Sequence, residues 1–185
     1  RRNMSIKLSN RVQSVKPSPT LAITARAAQM RAAGKDIVGL GAGEPDFDTP
    51  EHIKAAAVQA LAKGFTKYTA VDGIPSLKKA IIDKFKKDNG LDYQAKQILV
   101  SCGGKQSSFN LTQALLNPGD EVIIPAPFWV SYPDMVLLAD GVPVIIDTTQ
   151  AQRFKISPEQ LRAAITPKTR LIFINSPSNP SGIAY

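Results

Sequence analysis

The chain has 185 residues, 43% of them hydrophobic, with 23 Lys and Arg against 15 Asp and Glu and a net charge of +8. That is the composition of a globular chain, long enough for one sizeable core or for a domain and part of another, and it excludes intrinsic disorder. One cysteine, Cys102, excludes an intramolecular disulfide scaffold, and with a single histidine it excludes a zinc site of the usual Cys/His pattern, so no metal is expected. No apolar run approaches the roughly 20 residues needed to span a bilayer, and RRNMSIKLSNR lacks the apolar stretch of a secretory leader. The expected compartment is the cytoplasm, with no membrane partner. Arg1 to Asn3 precede Met4 and read as an addition ahead of the natural start.

Thr20 to Ala33 reads as an Ala-rich helix stopped by Gly34. Asp36 to Leu40 is a short apolar run entering Gly39-Leu40-Gly41-Ala42-Gly43-Glu44-Pro45-Asp46, where glycines and a proline predict a loop. Thr49 is placed to cap a helix with Pro50 at its first position, running to Lys63 and followed by Gly64. Pro75 opens another, ended by Asn89-Gly90; in it Leu77, Ile81 and Phe85 recur four apart on one face, and most of the lysines fall away from that face. The positive charge therefore reads as a solvated helix side. A nucleic-acid partner is not expected, because no aromatic interleaving or binding motif accompanies the lysines.

From Gln97 the pattern alternates. Ile98 to Ser101 is predicted as a buried strand, Lys105 to Leu116 as a helix, Pro118-Gly119-Asp120 as a turn and Glu121 to Ile124 as the next strand. A helix over Trp129 to Ala139, a strand over Val142 to Ile146, a helix capped by Ser157 with Pro158 at its first position, and a strand over Arg170 to Ile174 follow. Short apolar strands separated by helices imply βαβ units and an α/β fold around a mainly parallel sheet. Such a sheet ordinarily continues, so a chain ending at Tyr185, just after a strand, is expected to be a fragment.

In open α/β sheets ligands lie beyond the carboxyl ends of the strands, which directs attention to three loops. Ser101-Cys102-Gly103-Gly104-Lys105-Gln106 follows one predicted strand and opens a helix. Its glycines admit a close backbone approach, and the helix N-terminus favours an anion such as phosphate; a ligand-free tight turn is the alternative. It is not a Walker loop, since Leu99 and Gln106 break that pattern, and Glu44 breaks a GxGxxG reading of the earlier glycines. Pro125 to Tyr132 follows the next strand and carries Trp129 at a helix start, either to stack on an aromatic ligand or to fill a core or interface. Asn179, between Ser178 and Pro180, offers its amide to a ligand oxygen or caps a turn. Together the three loops describe a pocket for a flat, phosphorylated ligand. His52 reads as a polar helix residue, and Cys102 as a small apolar filler at a strand end.

Five segments, AGEPDFDTPEHI (Ala42 to Ile53), KYTAVDGIPSLKKAI (Lys67 to Ile81), GGKQ (Gly103 to Gln106), NPGDEVIIPAPFWVSYP (Asn117 to Pro133) and NSPSNPSG (Asn175 to Gly182), resemble in order the motifs of class I, fold-type I aminotransferases that use pyridoxal phosphate. The closest resemblance is to the bacterial aspartate aminotransferase subgroup, and it covers nearly the whole chain from Leu8. It implies a three-layer αβα large domain, here incomplete, with residues 1–45 as N-terminal arm and part of a small domain and 46–185 as the first part of the cofactor domain.

The resemblance also implies roles. Backbone amides of Gly104 and Lys105 would hold the cofactor phosphate, Trp129 would stack on the pyridine ring, and Asn179 would hydrogen-bond its phenolic oxygen. Tyr68 would cross a homodimer interface to the phosphate of the partner subunit's cofactor; an ordinary half-buried tyrosine is the alternative. Gly43 would touch the substrate α-carboxylate through its backbone, with Trp129 and Asn179 also facing the substrate and Lys105 contacting the distal carboxylate of a dicarboxylic one. The Schiff-base lysine is expected beyond Tyr185, leaving no catalytic residue in this chain, so the segment alone is expected not to turn over. The implied reaction transfers the amino group of L-aspartate to 2-oxoglutarate by a ping-pong route. The rivals are another amino-acid and 2-oxo-acid pair (prephenate, an aromatic amino acid or alanine) and, for the fragment, a non-catalytic anion-binding module.

Overall fold

The computed structural model describes residues 7–41 and 43–185; Arg1 to Asn3 and Ala42 lie outside the described residues. In chain order the elements are α1 (Asn10–Ser14), α2 (Pro19–Ala32), α3 (Glu51–Ala62), α4 (Pro75–Asn89), a 3-10 turn (Ala95–Gln97), α5 (Gly104–Leu115), β1 (Glu121–Pro125), α6 (Ser131–Leu138), β2 (Val142–Ile146), α7 (Pro158–Ala164) and β3 (Thr169–Ile172). The described residues fall into two compact units, one formed by residues 7–22 with Gly103–Tyr185, the other by Ile23–Cys102.

The first unit is built on β1. Val122, Ile123 and Ile124 are all fully buried although neighbours along a strand point to opposite faces, so both faces of β1 are covered. β2 and β3 flank it, both parallel to it, in the order β2-β1-β3. On one face Val122 and Ile124 pack with Val136 and Ala139 at and just after α6 and Leu116 after α5; Phe128, Tyr132, Leu171 and Phe173 close around them. Burying each of these strand side chains stabilises the unit by about 1.5–3 kcal/mol. Parallel direction sends the segments after β1, β2 and β3 out of the same sheet edge, and the Ala126 N–H donates to the Ile146 C=O at 2.9 Å to bind the first of them to the end of β2.

The second unit holds α3, α4 and the extended Ile98–Val100. Here the structure departs from expectation. Ile98 to Ser101 forms no strand: Ile98 is buried, Leu99 is exposed, and Val100 donates its N–H to the Asp72 C=O at 3.1 Å. A strand exists only beside a ladder partner, and no neighbouring strand supplies one among the described residues. Thr49 does not cap α3. Pro50 occupies the cap position, its C=O accepts from Ile53 and Lys54, and charge at the helix start comes from Asp48 and Glu51 paired with Lys54 at 2.8 and 2.5 Å. Lys78 is buried, an exception among the α4 lysines, most of which were expected to fall away from the apolar face.

Candidate functional site

The site in the first unit starts at the opening of α5. Gly103 holds φ +88°, a backbone that side-chain-bearing residues avoid, and releases the chain into a helix of 12 residues. The first N–H groups of a helix have no intrahelical acceptor, and those of Gly104 and Lys105 begin this one with no acidic side chain in the first turn to compete. A Cβ placed on Gly103 or Gly104 would meet nothing within 4 Å, so no other part of the chain crowds these two glycines. Positive helix end and backbone donors together favour an anion.

Lys105 extends from the same turn, and its ammonium lies 4.9 Å from the centre of the Trp129 ring. This cation–π contact ties the opening of α5 to the segment after β1. Trp129 lies in that segment, two residues before α6, rather than at the helix start as expected. Its edge-to-face contact with Tyr132 (5.4 Å, 90°) and the stacking of Tyr132 on Phe173 (4.7 Å, 14°) carry the chain of rings to the residue after β3. The Phe173 N–H in turn donates to the Ile123 C=O at 3.0 Å, anchoring the series to the buried centre of the sheet. Burial pushes the Tyr132 phenol above its ordinary value.

Asn179 lies in the segment after β3 and is exposed. Asn175 supplies the local cap, its Oδ1 accepting the Asn179 N–H at 2.8 Å. Turn closure thus falls to Asn175, while further bonds from Ser178 N–H to Ile183 C=O and from Tyr185 N–H to Ser176 Oγ fix the loop. The structure therefore joins Lys105 directly to Trp129 and places Asn179 on the loop leaving the neighbouring parallel strand at the same sheet edge.

A cavity of about 600 Å³ lies between Lys16–Leu21 and Phe128–Ser131, with Lys105 on its wall. The Lys16–Leu21 segment and the supporting rings of Tyr132 and Phe173 escaped the sequence reading. The available signals were the paired prolines of Lys16-Pro17-Ser18-Pro19 ahead of a helix and the three-residue spacing of Trp129 and Tyr132.

Gly43 and Tyr68 belong to the second unit. Gly43 is exposed in irregular chain, and a Cβ there would meet nothing within 4 Å. Tyr68 is fully exposed, which corrects the half-buried alternative. Cys102 is exposed too, so it fills no apolar gap; His52 sits exposed on α3 as read. Among the described residues no three His, Cys, Asp or Glu side chains are grouped to hold a metal, and no helix is long and apolar enough to cross a membrane.

The sequence pattern of the family described as aminotransferase class I and II matches residues 35–185. The chain is 66% identical over 180 residues to an aspartate/prephenate aminotransferase of Nitrosomonas europaea, covering 97% of this chain and 45% of that one. Its backbone superimposes on the crystal structure of an aspartate aminotransferase from Rhizobium meliloti with a TM-score of 0.93 and 53% identity, over 98% of this chain and 45% of the other. Superposition on the Thermus thermophilus aspartate aminotransferase with maleate gives a TM-score of 0.91 and 52% identity, over 95% and 46%. The chain thus spans a little under half the length of these relatives.

Proposed function

Because the chain belongs to the class I and II aminotransferase family, we propose that it is the first part of a cytoplasmic, homodimeric enzyme that transfers the amino group of L-aspartate to 2-oxoglutarate with pyridoxal phosphate. The observation that carries this reading is the junction of the helix-start amides of Gly104 and Lys105, the Lys105 ammonium and the Trp129 ring, a set suited to a planar group bearing a phosphate. Residues 1–45 supply the N-terminal arm and part of a small domain, and residues 46–185 begin the large cofactor-binding domain.

Bound there, pyridoxal phosphate supplies the sink for the electron pair left at the substrate Cα. This chain's own groups bind and orient. The Gly104 and Lys105 amides hold the phosphate at the helix N-terminus, whose dipole favours negative charge. Trp129 stacks on the pyridine ring, its own ring held edge-on by Tyr132. Asn179 donates its side-chain amide to the phenolic oxygen, and the Gly43 backbone meets the substrate α-carboxylate. Lys105 contacts a distal carboxylate with its flexible ammonium, separate from the role of its backbone. Tyr68 reaches the phosphate of the partner subunit's cofactor, a role its complete exposure within this chain supports.

None of these residues forms the covalent bond to the cofactor, so these 185 residues alone are expected to be inactive; a borohydride-reducible cofactor adduct on one of their lysines would overturn that. Prephenate as amino acceptor is a second reading, favoured by the Nitrosomonas relative that carries both names. Steady-state kcat/KM of the full-length enzyme with aspartate, alanine and aromatic donors against 2-oxoglutarate and prephenate decides between them. Loss of the aspartate reading follows if aspartate is not among the preferred donors.

A further inference from the structure

The most enclosed charge in the second unit has no part in the roles above. Lys78, in the first turns of α4, is 7% exposed, and its ammonium hydrogen-bonds the carboxylate of Asp72 just ahead of the helix. Lysine is seldom buried this far unless paired. Near a helix N-terminus its charge also opposes the dipole, so α4 gains little from it. With Asp72 half-exposed at its other end, the pair adds little net stability but holds its two side chains in one register.

What Asp72 holds is a turn. Its C=O accepts the Val100 N–H at 3.1 Å, and the Gly73 N–H donates to the Ala70 C=O at 3.2 Å. Gly73 adopts φ +108°, and a Cβ there would stand 2.5 Å from Val100 Cγ2, so this turn is pressed directly onto Val100. Tyr68 lies two residues before the turn. Because its ring is fully exposed, its position is governed by the backbone beneath it rather than by packing around it.

We infer that the Lys78–Asp72 pair is a positioning device for Tyr68, fixing the Lys67–Gly73 loop so that the phenol is presented to the cofactor phosphate. The inference rests on the role given to Tyr68 above. Lys78 acts through another residue and touches neither cofactor nor substrate.

The test uses apoenzyme of the full-length dimer, titrated with pyridoxal phosphate by absorbance, with sedimentation to verify the dimer. Lys78→Met, Asp72→Asn and Tyr68→Phe are each expected to weaken cofactor binding roughly tenfold, the loss of one hydrogen bond to a charged group. The double variant Tyr68→Phe/Lys78→Met is expected to bind no more weakly than Tyr68→Phe. Should Lys78→Met fail to fold, Asp72→Asn, altered on the half-exposed side of the pair, takes its place alone and in the double variant. Unchanged affinity in a folded Lys78 or Asp72 variant, or a double-variant loss equal to the product of the single losses, overturns the inference and leaves the tyrosine's role standing. Unchanged affinity in Tyr68→Phe removes both.

Discussion

Trp129 illustrates how one side chain acquires a role from its neighbours. The indole is placed by an edge-to-face contact with Tyr132 and by Lys105 over its ring, contacts that join α5 and α6 through the loop after β1. Trp129→Phe is expected to keep most of the affinity of the full-length enzyme for pyridoxal phosphate, and Trp129→Ala to lose roughly tenfold or more, since a ring contact contributes about 0.5–1.5 kcal/mol beyond its buried area. Fluorescence titration of the cofactor checks this. Tyr132 and Asp72 give opposite dependences on pH. Burial raises the Tyr132 phenol, so its stabilising contribution is complete below the ordinary value of 10.0 and disappears as pH rises through the folded value. Phenolate absorbance should therefore show one late-titrating tyrosine, absent in Tyr132→Phe. The hydrogen bond from Lys78 lowers Asp72, so that contribution is present above the ordinary carboxylate value of 3.8 and lost as pH falls through the lowered one. Asp72→Asn is expected to flatten the acid limb of the unfolding midpoint plotted against pH.

The sharpest agreement between sequence and element is at α7. Ser157 Oγ accepts the Gln160 N–H and Gln160 Oε1 accepts the Ser157 N–H, a reciprocal cap legible in Ser-Pro-Glu-Gln. Removing it with Ser157→Ala is expected to cost about 1 kcal/mol, read from the urea midpoint of the full-length protein. At the other end of the range, Ile124→Ala in the fully buried β1 is expected to cost about 2–5 kcal/mol in the same measurement, because transfer and cavity terms add. Helices were readable because caps, prolines and apolar spacing are local. The Ile98–Ser101 segment was misread because strand character lies in a partner that the apolar pattern does not name. α6 was expected two residues too early, since Trp129 and Val130 continue its apolar pattern but lie in the loop between β1 and α6, which Pro127 stiffens.

At the scale of the molecule the exposed area is the informative quantity. α3 buries no residue, and Val38, Leu40, Phe47 and Val71 are almost wholly exposed. Apolar surface on this scale marks contacts still to be made. The isolated 185-residue chain is expected to bind an apolar dye strongly and to self-associate with rising concentration, and the full-length enzyme to do neither beyond the proposed dimer. Dye fluorescence and light scattering test this directly.

The amino-acid order by itself determined most of the helices, the parallel strands from Glu121 on, the glycine turn that opens a helix at Gly103-Gly104 and the family pattern, because each rests on local backbone preference or on short spaced motifs. Only tertiary structure decided that Lys105 meets Trp129, that Tyr132 and Phe173 support that ring, and that Lys78 is buried against Asp72. Those contacts depend on which faces the sheet and helices turn toward one another, and burial changes the worth of a charge or a ring in a way that residue order alone does not encode.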